Sequence, residues 1–403
     1  MNILILTYWS YPDALIQTYT LPYVRIIKKK LPSSSKIFLV TLEKNTATLK
    51  GEAFLRIEEQ LLQENIYWLP LPYKPFSISA LRFWALTSVK LSIKIIRNHI
   101  SVIHCWCTPA GAIGFFLATL LRKPLIIDSY EPHAEAMVEN GTWAKNSLAF
   151  KLLFWLEKKQ TQKALHIISA TEKMKDYALL KYGVAIRNFY VKPACVDLSL
   201  FSEQNKKDED LLRKLSLEDK LVCVYAGKFG GIYLDQEVFD FFKVARTFWG
   251  DLFRVLLLTS HTREEIDHYC DKANLDKAIV VSTFVDHKLI PKYLGLGDFA
   301  ITPVKPVPTK RFCTPIKDGE YWSLGLPVVI TANISDDSEI IERHNIGVVL
   351  KRLDNEGYLE AVKKIEEILR QPRKQTFKTI RSVAERYRNY QLAERTYGLI
   401  YTQ

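Results

Sequence analysis

With 403 residues, the chain is too long for a single hydrophobic core, so two or three domains are expected. Its 48% hydrophobic and 25% charged content excludes an intrinsically disordered protein. The net charge is +12, and nearly all of the excess lies in residues 1–200, which hold 25 Lys and Arg against 14 Asp and Glu; the remainder holds 31 against 30. This asymmetry predicts an anionic partner for the first half, such as a membrane surface or an acidic acceptor. No nucleic-acid-binding motif is present, and no nucleic acid partner is expected.

Cysteine spacing and the lengths of apolar runs indicate the cellular compartment in which the protein is expected. The six cysteines are dispersed without zinc-site spacing, which is typical of reduced thiols in a cytoplasmic protein. Residues 1–9 read as a strand and not as a signal peptide. The longest apolar run, residues 109–121, is shorter than the roughly 20 residues that span a bilayer. We therefore expect a cytoplasmic protein that is at most peripheral on the inner face of the membrane.

Short apolar runs that alternate with helical segments are typical of strands buried on both faces of a parallel sheet. Seven such runs lie in the first half: residues 2–8, 36–42, 65–71, 101–106, 124–130, 166–171 and 189–196. Six lie in the second half: residues 221–228, 254–260, 278–284, 298–304, 327–331 and 347–350. The chain ends in predicted amphipathic helices over 358–371 and 376–401. This pattern predicts an α/β fold with two Rossmann-like domains that face each other across a cleft.

The segment 128–137 follows the fifth strand and holds several groups that can move protons. Asp128, Glu131 and His133 could supply hydrogen bonds or proton transfer to a reacting hydroxyl. The alternative is structural: Asp128 caps a loop, and His133 packs within it.

A glycine-rich segment follows the first strand of the second half. Lys228 is flanked by Gly227, Gly230 and Gly231, which leave the backbone open to close approach. A cation beside open backbone suits a diphosphate, on which negative charge develops as a bond breaks. Taken alone, the segment fits a solvated lysine at a flexible turn equally well.

The segment 313–330 is the most informative stretch of the sequence. It reads as a loop, a short helix with Glu320 in its first turn, a glycine stop at Gly325 and a buried strand. A carboxylate at the carboxyl edge of a parallel sheet can accept two hydrogen bonds from a ribose diol. The alternative is a glutamate that is stabilised by the helix macrodipole.

Five segments in chain order resemble glycosyltransferases of the GT-B fold, in particular the retaining family 4 type. They are the residues 191–201, 280–304, 314–330, 338–350 and 386–401. The resemblance covers most of the chain and implies a C-terminal helix that crosses back to the N-terminal domain. It implies domains over 1–197 for acceptor binding and 198–385 for nucleotide-sugar binding, with 386–403 as the terminal helix.

The resemblance also implies roles for the donor-site residues. Glu320 would bind the ribose hydroxyls, and the Lys228 segment would bind the diphosphate. The loop of Phe312, Cys313 and Thr314 would contact the sugar, although Phe312 stands where the family has a carboxylate. Lys317 belongs to a P-x-K-x-x-E-Y form that some branches of the family carry. Either Lys317 or Arg311 could replace a second family lysine that has no clear match in this chain.

In the first half, the family places a histidine near the donor sugar. The resemblance assigns this position to His133, with Tyr130 as the alternative when the alignment shifts by a few residues. The implied activity is transfer of a hexose-type sugar, with retention, from a nucleotide-diphosphate sugar to a lipid-linked or glycan acceptor. The expected setting is the synthesis of cell-surface polysaccharide or glycolipid, with no metal and no other cofactor. A sugar-nucleotide epimerase and a catalytically silent binding or scaffold subunit are the alternatives.

A basic amphipathic helix is predicted over residues 79–99, with Arg82, Lys90, Lys94 and Arg97 opposite its apolar face. Residues 25–32 and 150–164 are similarly basic. Peripheral contact with anionic lipid is one interpretation, and a helix that packs on a core with a solvated face is the other.

Overall fold

The computed structural model describes residues 1–45, 51–74 and 78–402. Within these residues, no helix is both long and apolar enough to cross a membrane. The chain forms two compact units: unit 1 comprises Met1–Lys192 and Gln391–Gln403, and unit 2 comprises Pro193–Tyr390.

Unit 1 is built on one parallel sheet of seven strands. These are β1 (Asn2–Leu6), β2 (Ile37–Glu43), β3 (Ile66–Pro72), β4 (Ile100–Trp106), β5 (Leu125–Asp128), β6 (His166–Ser169) and β7 (Phe189–Val191). Its helices are α1 (Leu21–Lys30), α2 (Glu52–Gln63), α3 (Ile78–Arg97), α4 (Thr108–Leu120), α5 (His133–Glu139), α6 (Leu148–Lys163) and α7 (Lys173–Tyr177). The strand order is β3-β2-β1-β4-β5-β6-β7, so the order reverses between β1 and β4.

Unit 2 is built on a second parallel sheet, of six strands. These are β8 (Leu221–Ala226), β9 (Phe253–Leu258), β10 (Val280–Thr283), β11 (Phe299–Thr302), β12 (Val328–Thr331) and β13 (Gly347–Leu350). Its helices are α8 (Glu209–Lys214), α9 (Gln236–Trp249), α10 (Arg263–Lys272), α11 (Ile290–Leu294), α12 (Ile316–Ser323), α13 (Asp337–His344), α14 (Asn355–Leu369) and α15 (Arg373–Tyr387). The last helix of the chain, α16 (Tyr390–Tyr401), belongs to unit 1 from Gln391 onward. The strand order is β10-β9-β8-β11-β12-β13, with the reversal between β8 and β11.

The predicted fold class is confirmed, since both units are Rossmann-like with parallel sheets and every predicted strand overlaps an observed one. Two local expectations are wrong. The long helix predicted over 376–401 breaks at Arg388, whose φ of −133° leaves the helical region, and Asn389 pairs with Val196 in an isolated bridge. Helix α12 begins at Ile316, so Glu320 lies in its second turn.

Strand β8 shows why these apolar runs become central strands. Val222 and Val224 pack into one hydrophobic cluster, which includes Trp322 of α12. Cys223 and Tyr225 point to the other side, where they join a cluster of aromatic residues from α9. Because successive side chains alternate between faces, a strand with helices on both sides must be apolar at every position.

A buried ionic cluster ties helix α16 to the sheet of unit 1. The Asp128 carboxylate is fully buried and accepts a hydrogen bond from the Tyr397 hydroxyl at 2.6 Å. Its oxygens also lie 3.3 Å from Lys192 Nζ and 3.5 Å from His104 Nε2. Burial alone would raise the pKa of Asp128, but Lys192, His104 and Tyr397 outweigh it and lower the pKa to about 2.

We expect Tyr397→Phe to lower the free energy of unfolding by about 1–3 kcal/mol, because it removes a buried hydrogen bond to a charged carboxylate. Urea denaturation measures the loss. Leu399→Ala is the control on the same helix: Leu399 is 57% exposed, and its replacement should change stability by less than about 0.5 kcal/mol. Equal losses in the two variants would contradict this account of the cluster.

Candidate functional site

The candidate site of unit 2 lies where the strand order reverses. Ligands of open α/β sheets bind outside the carboxyl ends of the strands at such a point. Two segments begin there: residues 227–235 after β8, and residues 303–323 after β11. All of the donor-binding residues expected from the sequence lie in these two segments.

Gly227 and Lys317 are brought together across the two segments. A Cβ atom on Gly227 would lie 2.6 Å from Tyr225 Oη and 3.0 Å from Lys317 Cε, so the close approach needs glycine. Lys317 Nζ lies 3.2 Å from Tyr233 Oη and 4.8 Å from the centroid of the Tyr233 ring. The lysine is therefore held beside the β8 loop by a tyrosine that sequence reasoning did not assign to the site.

The remainder of the β8 loop is a tight turn. Gly230 and Gly231 have φ of 78° and 63°, and the Tyr233 N–H donates to Gly230 O at 3.1 Å. Lys228 precedes the turn, and its side chain is exposed. The Phe229 N–H donates to His261 Nε2 at 3.0 Å, which ties the loop to the end of β9.

Glu320 is the carboxylate that the rest of the site does not satisfy. Its side chain is 8% exposed, yet no residue in 1–45, 51–74 or 78–402 makes a hydrogen bond to its carboxylate. Burial raises the pKa of Glu320 to about 7, against the opposing effect of the Lys317 charge. Since it lies in the second turn of α12, stabilisation by the macrodipole does not explain it. A buried acceptor without a protein partner is typical of a ligand site.

The loop before α12 has one side chain fixed in place. Thr314 Oγ1 accepts hydrogen bonds from Arg388 Nη1 at 2.5 Å and from the Ala194 N–H at 3.4 Å. Phe312, which occupies the position of the expected carboxylate, is buried. Cys313 lies between them, half-buried, with its Sγ 3.2 Å from Lys310 O.

Asp337 is 1% exposed and forms an ion pair with Arg388 inside unit 2. Asp318, in the first turn of α12, lies next to it and accepts a hydrogen bond from the Thr302 hydroxyl. In the described part of the chain, no group of three or more His, Cys, Asp or Glu side chains could hold a metal ion.

In unit 1 the expected catalytic residues separate into two environments. Asp128 is fully buried in the cluster with Lys192 and Tyr397, which is not the exposed environment that contact with a substrate needs. His133 and Glu131 are partly exposed at the start of α5, with His133 Nδ1 3.6 Å from Glu131 Oε1. Tyr130, the alternative to His133, is buried, and its hydroxyl pairs with Thr161.

Sequence reasoning missed Glu157 of α6, which lies beneath the segment that carries His133. Its buried carboxylate accepts hydrogen bonds from the Ala134 N–H and the Tyr182 hydroxyl, both at 2.9 Å. Burial raises the pKa of Glu157 to about 7, although these hydrogen bonds oppose the shift. A glutamate within a charged stretch of a helix carries no local signal that it will be buried.

Comparison with known proteins shows which solved structures share this fold. No protein-family model and no curated protein matches the chain. Sucrose-phosphate synthase from Thermosynechococcus elongatus is similar in structure, with a TM-score of 0.73 and 14% identity over 100% of this chain and 99% of that one. HepE from Anabaena, in complex with UDP-glucose, has a TM-score of 0.71 and 14% identity over 100% and 99%. WaaG, a glycosyltransferase involved in lipopolysaccharide biosynthesis, has a TM-score of 0.68 and 12% identity over 99% of both chains. These likenesses show the fold of GT-B glycosyltransferases.

We expect Glu320→Gln to stabilise the protein by up to about 3 kcal/mol at pH 8, because it removes the penalty of ionising a buried carboxyl group. Between pH 4.5 and 7, the unfolded chain ionises this group while the folded chain keeps its proton, so the stability of the native sequence falls as pH rises through this range. Urea denaturation at pH 5 and pH 8 measures the difference, which should be small at pH 5. Glu339→Gln, at an exposed position on α13, is the matched control for the loss of one carboxyl group. A Gln variant that is less stable than the native protein at pH 8 would contradict the assignment.

Proposed function

We propose that the protein is a glycosyltransferase that moves a hexose-type sugar, with retention, from a nucleotide-diphosphate sugar to a lipid-linked or glycan acceptor. Unit 2 binds the donor, and unit 1 binds the acceptor. The proposed setting is the synthesis of cell-surface polysaccharide or glycolipid at the inner face of the membrane. HepE is similar in fold and was crystallised with UDP and with UDP-glucose, so these are the first ligands to test.

The unsatisfied carboxylate of Glu320 carries this proposal. A ribose diol offers two adjacent hydroxyl donors, which match the two oxygens of an ionised carboxylate. Such a ligand would supply the hydrogen bonds that no described protein group makes to Glu320, and it would favour the ionised form of the group.

The diphosphate is assigned to the β8 loop and Lys317. Gly227 lets Lys317 approach the loop, Gly230 and Gly231 leave backbone accessible, and Lys228 and Lys317 supply positive charge. As the glycosidic bond breaks, the electron pair passes to the diphosphate oxygen, and nearby cations stabilise the developing charge. We assign this task to the two lysines without a metal ion, and the loop of Phe312, Cys313 and Thr314 to the sugar.

In unit 1 we assign His133 and Glu131 to the acceptor, because they are the partly exposed pair at the carboxyl edge of the sheet. The acceptor hydroxyl must lose a proton as it attacks, and the leaving phosphate and these side chains are the groups proposed to take it. We assign Asp128 a supporting role, since its oxygens are already engaged within the core of unit 1.

Glu320→Gln should weaken UDP binding at pH 8 by at least about tenfold, because the amide has no charge and replaces one of the two acceptor oxygens with an NH2 donor. In the native protein, affinity should fall between pH 8 and pH 6 as Glu320 takes up a proton, and this fall should be absent in the Gln variant. Isothermal titration calorimetry measures both effects, with Glu339→Gln as the control. Unchanged affinity in Glu320→Gln would overturn the ribose assignment.

Catalysis is tested by incubating the protein with UDP-glucose and other nucleotide sugars, with and without bacterial lipid extract, while free nucleotide and transferred sugar are followed. A glycosyltransferase releases nucleotide in proportion to the acceptor added, and a chelator should leave the rate unchanged. Formation of an epimeric nucleotide sugar without acceptor would identify an epimerase instead. Nucleotide binding with no turnover of any donor would identify a silent binding subunit.

Contact with anionic membrane is proposed for helix α3 of unit 1. Thr87, Leu91 and Ile95 face the core, whereas the outer face carries both apolar and basic side chains. The apolar ones are Leu86, Val89, Ile93 and Ile96, which are 68, 60, 45 and 62% exposed, and the basic ones are Lys90, Lys94 and Arg97. An exposed face that mixes basic and apolar residues suits the surface of anionic lipid better than bulk water.

Val89→Asp/Ile93→Asp should abolish cosedimentation with vesicles of anionic phospholipid, because it places carboxylates on this face. The matched control is Leu353→Asp/Leu359→Asp in unit 2, where both leucines are 37% exposed. Binding to neutral vesicles should be weak for every variant. Equal binding of the α3 variant and the control would show that α3 is not the contact surface.

A further inference from the structure

Arg388 lies at the centre of a buried ionic cluster in unit 2. It follows α15 directly and is 1% exposed. One nitrogen, Nη2, pairs with Asp337, and the other, Nη1, donates to Thr314 Oγ1 at 2.5 Å. The Arg388 carbonyl accepts from the Val196 N–H at 2.8 Å. Through its side chain and its carbonyl, Arg388 thus contacts α13, the loop before α12 and the segment that enters unit 2.

The charges of the cluster are balanced. Burial and the neighbouring Asp337 raise the pKa of Asp318 well above its ordinary value, so Asp318 keeps a proton and donates it to Asp337. Asp318 Oδ2 and Asp337 Oδ2 have no other partner among the described residues, which fits a proton held between them. The acid pair therefore carries one negative charge, and the guanidinium of Arg388 neutralises it.

These contacts reach both ends of the first turn of α12. Thr314 precedes the helix, and Asp318 lies in its first turn. The position of this turn determines where the side chains of Lys317 and Glu320 lie. Gly319 brings the helix close: a Cβ there would lie 2.9 Å from Val196 Cγ1 and 3.3 Å from Arg388 Cγ. The N-cap residue, Pro315, offers no side-chain hydrogen bond, so Arg388 supplies an anchor that the helix itself lacks.

We propose that Arg388 is a positioning residue for the donor site. Through Thr314 and the Asp318–Asp337 pair it fixes the loop 313–315 and helix α12, and so it sets the affinity for a nucleoside diphosphate. Arg388 itself does not touch the donor. This inference rests on the function proposed above.

Arg388→Lys tests the proposal, because lysine keeps the charge that faces Asp337 but cannot also reach Thr314 with a second nitrogen. We expect the affinity for UDP to fall by at least about tenfold. The control is Arg381→Lys. Arg381 lies two turns earlier on α15 and donates to the carbonyls of Leu198, Phe201 and Ser323. Ser323 is the last residue of α12, so Arg381 holds the end of that helix opposite to the loop 313–315. It should lower stability in urea but leave the UDP affinity unchanged.

Thr314→Val separates positioning from stability, since it removes only the hydroxyl and keeps the shape of the side chain. It should weaken UDP binding as Arg388→Lys does, and the double variant should be no worse than either single variant, because the two residues act in series. Additive losses, or losses of affinity that are equal in Arg388→Lys and Arg381→Lys, would overturn the proposal. If Arg388→Lys does not fold, Thr314→Val alone decides: an unchanged UDP affinity overturns the proposal.

Alkylation of Cys313 gives a readout that does not depend on the nucleotide. The other five cysteines are buried, so iodoacetamide should modify the native protein at Cys313 first. Arg388→Lys and Thr314→Val should each speed this reaction severalfold, and Arg381→Lys should not. If the native protein binds no nucleoside diphosphate, the proposed function fails, and the alkylation rates still decide whether Arg388 holds the loop. Unchanged rates in both loop variants would overturn the positioning role.

Discussion

The ion pair between Arg388 and Asp337 is the interaction on which the site of unit 2 depends. A guanidinium buried in protein must be paired, and here its partner is a carboxylate that shares a proton with Asp318. The pairing leaves one nitrogen of Arg388 to hold Thr314. Breaking such a buried pair by removing one partner is strongly destabilising, so the position of α12 follows from the electrostatics of the core as much as from its packing.

Glu320 lies on the same helix, α12, but its carboxylate has no protein partner in the part of the chain that the structure describes. Asp318 and Asp337 are buried carboxyl groups that each have a protein partner, the Thr302 hydroxyl and the Arg388 guanidinium, whereas the buried Glu320 has none among the described residues. The folded chain is therefore less stable at neutral pH than it would be with an uncharged side chain at this position. A group that lowers stability until a ligand binds is typical of functional sites.

Unit 1 shows the same contrast between carboxylates. Asp128 and Glu157 are both fully buried near the carboxyl edge of the sheet, but cations surround the first and neutral donors the second. Their pKa values of about 2 and about 7 differ for that reason. Asp128 holds helix α16, and Glu157 holds the start of α5, where His133 and Glu131 reach the surface. The two buried acids hold these elements in place, and His133 and Glu131 are the pair that stays partly exposed.

The sequence by itself determined the strands, the parallel topology and the two segments that form the candidate site of unit 2. These features are local: apolar runs, glycine turns and the order of elements suffice, because a strand covered on both faces needs apolar residues at every position. Only the tertiary structure decided which polar residues are satisfied. It buried Asp128, paired Asp337 with a residue 51 positions away and left Glu320 without a partner. Burial and pairing depend on groups far apart in the chain, and no local pattern records which of them will meet.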